Sequence, residues 1–210
     1  MKNMKKILVL ALAALLLVAV GVGGTLAWLQ DSTQTIENTF TTSNIDIELK
    51  EEPDAGEDNK ASFQMIPDAD IDKKPYVTVK KDSVACWVFV EVIESGVLDD
   101  YISYSVDNAE WTALGESYPN IYYKKIDTAP TTDESYDILT DDKVSVLAAV
   151  TEDDMAKLKE EKAVQPTLTF KAYAIQYEGF NDDTKSDAEN AVNAWTEIKN
   201  RTDNKAPTTP

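Results

Sequence analysis

The chain contains no histidine, a single cysteine, and only 7 glycines and 8 prolines in 210 residues. Without imidazole there is no Ser-His or Cys-His nucleophile pair, no HExxH zinc motif, and no side chain whose ordinary pKa suits general-base work near neutral pH. One thiol cannot close an internal disulfide, so stability has to come from packing. Basic residues are also scarce: 20 Lys and Arg stand against 38 Asp and Glu, a formal charge of −18. That balance offers no basic patch to nucleic acid, which is excluded as a partner, and an anionic membrane surface would repel the chain. What remains is 28% charged and 43% hydrophobic, enough to bury a real core in one main domain.

Lys2, Lys5 and Lys6 precede an uncharged apolar stretch from Ile7 to Val20, and Thr25-Leu26-Ala27 offers small residues at −3 and −1 of a signal-peptide cleavage site. The expected cut falls between Ala27 and Trp28. The alternative is an uncleaved anchor, because no charge intervenes from Ile7 to Gln30 and Trp28 would sit at the membrane interface. Loss of residues 1–27 removes three lysines and no acid, taking the charge from −18 to −21. High negative charge suits a secreted subunit in the extracellular matrix or at the cell surface.

Beyond the leader the pattern is mostly β. Ile45 to Leu49, Tyr76 to Lys80 and Thr167 to Tyr173 alternate apolar and polar residues, as strands with one wet face do. Ala85 to Ile93, with Cys86, Trp87 and Phe89, is nearly continuously apolar and reads as a central strand covered on both faces. Further strands are expected at Ser62 to Ile66, Tyr101 to Val106, Ile121 to Lys125 and Val144 to Val150, separated by Asp, Asn, Gly and Pro clusters. Many short antiparallel strands point to a β-sandwich.

Two helices interrupt the strands. Thr151 with three acids behind it marks an N-cap, followed by Lys157, Lys159 and Lys162 toward the other end. Ser186 and Glu189 form a capping-box pattern, and Ala188, Ala191, Val192, Trp195 and Ile198 then recur at spacings of three and four; Val192, Trp195 and Ile198 should therefore pack on the sandwich. The domain is expected over 45–200, with residues 28–44 as an N-terminal arm and 201–210 as a disordered tail. Cys86, inside the most apolar strand, reads as a small buried hydrophobe. The stretch Asn181 to Glu189 has oxygen ligands at short spacing, but it lacks the glycine of a calcium loop and carries Lys185 in its middle, so it reads as the loop feeding the capping box. No catalytic residue, metal site or cofactor is expected.

The residues GGTLAWLQD at 23–31, with NTFTT at 38–42 and IDIEL at 45–49, resemble the start of the TasA/camelysin family. Met65-Ile66-Pro67 through Lys73, Tyr76 to Val79, and Pro166 to Tyr173 are similar to its secreted Gram-positive members, although Asp68 stands where a glycine commonly follows the proline, which puts that turn in question. The resemblance implies cleavage by a SipW-type signal peptidase, a jelly-roll-like sandwich, and a structural subunit of biofilm-matrix fibres in which each copy lends its N-terminal strand to the next. Leu29, Ile36 and Phe40, in a Thr-rich arm without Pro or Gly, would be the anchors of that donated strand. Its partners would be further copies of itself, head to tail, and other matrix components. A monomeric secreted binding or adhesion module is the alternative; the peptidase label of the camelysin branch is hard to reconcile with a chain that lacks the usual zinc ligands.

Overall fold

Strand β4 (Cys86–Glu94) organises the domain, because its sequence CWVFVEVIE places apolar side chains on both faces. The computed structural model describes residues 44–52, 65–160 and 162–203. The cleavage residues Ala27 and Trp28, the arm residues Leu29, Ile36 and Phe40, and the end of the chain from 204 lie outside them. The remaining strands are β1 (Ile47–Glu52), β2 (Asp70–Asp72), β3 (Lys74–Val79), β5 (Ile102–Val106), β6 (Thr112–Ala113), β7 (Ile121–Ile126), β8 (Glu134–Asp137), β9 (Leu139–Val146) and β10 (Leu168–Gln176). Helices α1 (Glu152–Lys157) and α2 (Asp187–Asp203) complete the set, with a 3-10 turn at Leu98–Asp100.

The fold is mainly β and antiparallel, its strands divided among three sheets ordered β1-β3-β8, β10-β4-β7-β6 and β2-β9-β5. In the four-stranded sheet, Cys86, Val88, Val90 and Val92 point one way, into a core shared with Val77 and Val79 of β3, Val106, Trp111 and Ile138. Trp111 also donates its indole N–H to the Asp137 carbonyl at 2.8 Å. Trp87 and Phe89 point the other way and are sealed by α2 through Ala191, Ala194, Trp195 and Ile198. The Phe89 and Trp195 rings lie 5.4 Å apart, and Tyr173 meets Trp195 edge-on at 5.3 Å. Val192 lies half-buried at the margin of this cluster, and Ala188 is exposed in the first turn. A third cluster, with Leu98, Ile102, Leu139 and Val146, takes in Met155 of α1 and Leu158 just beyond it at its margin.

Both helix starts are capped by reciprocal bonds. The Thr151 hydroxyl accepts from the Asp154 N–H at 3.2 Å, and the Asp154 carboxylate accepts from the Thr151 N–H at 3.1 Å. Ser186 and Glu189 repeat the arrangement at 3.3 and 2.9 Å. In the loop before α2, Asp182 accepts from the Thr184 N–H at 3.0 Å, while buried Asn190 clamps the Asp182 backbone with one bond each way.

Several expectations need correction. Met65 and Ile66 belong to no strand, because Ile66-Pro67-Asp68-Ala69 closes a turn through the Ala69 N–H to the Ile66 carbonyl at 3.2 Å. Asp68 supplies the left-handed backbone, φ 60°, that a glycine would otherwise provide there. The strand expected at Val144 to Val150 runs instead from Leu139 to Val146, with Ala148 and Ala149 exposed in the turn that follows. α1 stops at Lys157, short of Lys159 and Lys162. α2 continues to Asp203, so residues 201–203, read as the beginning of a disordered tail, are helical.

Two consequences can be measured. Asp68→Val puts a β-branched side chain into the left-handed region and is expected to cost more than about 1 kcal/mol, seen as a fall of about 2–4 °C in Tm. Burial, reinforced by donation to Glu91, pushes the Tyr173 phenol up to about 12. Its contribution is complete below the ordinary tyrosine value of about 10, where the unfolded chain begins to ionise, and is lost as pH rises through the folded value. Urea midpoints should hold up to about pH 10 and fall from there toward pH 12; a flat profile would contradict this.

Candidate functional site

The residues expected in the core strand and in the helix packing lie in the core. Cys86 and Trp87 have no solvent exposure, and burial raises the Cys86 thiol to about 11, away from the reactive thiolate. Phe89, Trp195 and Ile198 are buried together between β4 and α2. Functional capacity therefore has to be sought where the fold leaves groups unsatisfied, and the edges of its sheets are such places.

The edges differ greatly in length. β6 has two residues, β2 three, β8 four, and β5 is interrupted by a register shift between Tyr104 and Val106. Such brevity and irregularity protect an edge from strangers. β10 has nine residues, LTFKAYAIQ, in unbroken register with β4 and without Pro or Gly. The Thr167 carbonyl and the Tyr177 N–H, ten residues apart, both turn toward β4 to meet Ser95 and Ala85. By the alternation of a strand, the backbone groups of Leu168, Phe170, Ala172 and Ala174 then turn away from β4, and among the described residues nothing pairs with them. The side chains of these same four residues are partly buried against the central core.

β1 forms the neighbouring edge of the facing sheet. Asp46 and Asn44 give their carbonyls to Lys80 and Val84, at 2.9 and 3.1 Å, on the β3 side, so Ile47, Leu49 and Glu51 turn their backbone groups outward. Ile47 and Leu49 pack in the same cluster as Phe170 and Ala172. β1 and β10 thus run beside each other along one flank of the core, each with an open edge among the described residues.

A buried ion pair spans this flank. Lys73, between β2 and β3, donates to both Glu51 carboxylate oxygens at 2.9 and 2.8 Å, with side chains only 10% and 17% exposed. Its ammonium also stands 5.7 Å from the centre of the Phe170 ring on β10, close enough for a cation–π contact. Its N–H reaches the Asp142 carbonyl at 2.8 Å, where Asp141 and Asp142 both take left-handed backbone within β9. Lys73 therefore touches all three sheets. Neither Lys73 nor Glu51 stands out in the sequence, since nothing in KKP or LKEE says which charge is desolvated.

No family model, curated protein or solved structure matches the chain.

Removing one partner of a desolvated pair takes from the other its closest compensating charge. Glu51→Ala is expected to lower unfolding free energy by about 3 kcal/mol, whereas the double replacement Lys73→Met with Glu51→Leu should lie within about 1 kcal/mol of the parent. Urea denaturation of the three chains measures both, and an inconsequential Glu51→Ala would show the pair to be dispensable.

Proposed function

We propose that this chain is a secreted structural subunit that polymerises head to tail into extracellular matrix fibres, residues 28–40 of one copy pairing with the open β10 edge of the next. The carrying observation is the nine-residue edge of β10, whose outward backbone groups belong to the residues that also line the core. A strand laid there would extend the four-stranded sheet and cover Leu168 and Phe170 at the same time. Each backbone hydrogen bond so formed contributes about 1 kcal/mol net, and each anchoring side chain among Leu29, Ile36 and Phe40 about 1.5–3 kcal/mol when fully buried, less the entropy of ordering the arm. The arm sequence WLQDSTQTIENTF supports this reading, being rich in Thr and free of Pro and Gly. Cleavage after Ala27 by a SipW-type peptidase would release it.

Electron microscopy of chains beginning at Trp28 and at Thr41 tests the proposal: fibres are expected from the first only. A sharper variant exploits the phase of β10. Ala172→Pro removes an N–H that faces away from β4, so the domain should retain its fold while assembly is lost; Lys171→Pro removes one that faces β4 and should destabilise the domain itself. Fibres from the Thr41 chain would overturn the assignment.

A further inference from the structure

The inward row of β4 runs Cys86, Val88, Val90, Val92, and its next position is Glu94. A carboxylate thus stands where a fifth apolar side chain would continue the core. The Tyr104 hydroxyl of β5 donates to Glu94 Oε1. Tyr122 of β7, on the same inward phase, comes alongside, and the three line an open groove of about 450 Å³ with Asp99, Val106 and Asn108. No Lys or Arg among the described residues lines this groove. Among the described residues neither Glu94 nor Asp99 joins an ion pair, and nothing donates to Glu94 Oε2 or to the Asp99 carboxylate. This separates Glu94 from Glu51 on β1, whose carboxylate is compensated by Lys73.

We infer that this groove binds an alkylammonium group. A half-buried carboxylate in a groove that two tyrosines also line calls for a ligand that brings positive charge, several N–H donors and an apolar stem. The ammonium nitrogen can donate to Glu94 Oε2 and Asp99, and its methylenes can lie against Tyr104, Tyr122 and Val106. A divalent metal is less well served, since the described residues hold no cluster of three or more metal-ligating side chains. The same chemistry could come from a free diamine or from the lysine side chain of another protein.

The test is a heteronuclear NMR titration of the protein with 1,5-diaminopentane and with Nα-acetyl-lysine N-methylamide, using 1,5-pentanediol and methyl glucoside as uncharged probes. Saturable shifts centred on 94, 99, 104 and 122 are expected with the two amines. Glu94→Gln should weaken binding about tenfold, the size of a lost charge-assisted hydrogen bond. Glu116→Gln, an equal charge change at an exposed site, should leave it within about twofold. Should Glu94→Gln fail to fold, Tyr122→Leu serves in its place, with a several-fold loss expected from the missing ring. Tighter binding of the diamine names a free amine as the ligand, and tighter binding of the lysine derivative names a protein. Unsaturable shifts spread over the surface, or equal losses in Glu94→Gln and Glu116→Gln, would reduce the effect to bulk attraction by an acidic protein and overturn the site. Preferential binding of either uncharged probe would overturn it too.

Discussion

Everything in this domain follows from the need to cover both faces of one strand. β4 carries Val88 and Val90 toward one layer and Trp87 and Phe89 toward another, and burial of aromatic and branched side chains is the largest favourable contribution available to a chain that lacks disulfides. One cover is sheet, with Val77 and Val79 of β3 opposite the valine row. The other is helix, with the small residues Ala191 and Ala194 letting α2 approach closely enough for Trp195 to wedge between Phe89 and Tyr173. Because the helix lies over the face of the four-stranded sheet, it leaves the edge at β10 open among the described residues.

How much of this could be read from the residues depends on whether the signal was local. Alternation at Tyr76 to Lys80 and the continuous apolar run at Ala85 to Ile93 announce β3 and β4, and the N-cap at Thr151 and the capping box at Ser186 place the helix starts to the residue. β2, β6 and β8 are invisible by the same logic: DID, TA and ESYD are too short to alternate, and each is ordered by the partner beside it. β9 misleads because its apolar half continues into Leu147 and the exposed Ala148 and Ala149, while its true beginning, LTDDK, is polar and bent by two left-handed residues. Lys73 and Glu51 are hidden for a different reason, since desolvation is a property of three converging sheets. Glu94 was within reach, as an acid in phase with Val88, Val90 and Val92.

The acidic surface and the open flank bear on each other. Copies of a chain with formal charge −18 repel over a distance set by ionic strength, about 8 Å at physiological salt. Residues 28–40 carry two acids and no base, yet β10 offers them Lys171 and backbone groups instead of carboxylates. Within the flank itself the largely buried carboxylate of Glu51 is matched by Lys73. In the proposed assembly, repulsion between domains and attraction along the edge would act on the same pair of molecules, with contact along a strip that presents no uncompensated carboxylate among the described residues.

On β10, backbone groups and core-lining side chains leave the strand in the same phase, because Leu168, Phe170, Ala172 and Ala174 supply both. A visiting chain displaced by a single residue could keep its ladder only by turning its core-facing side chains outward, while displacement by a dipeptide keeps both ladder and face and changes only which side chains meet. Errors of attachment on this edge would thus be quantised, and discrimination between neighbouring registers would rest on the shapes of a few apolar groups, since the backbone cannot tell them apart.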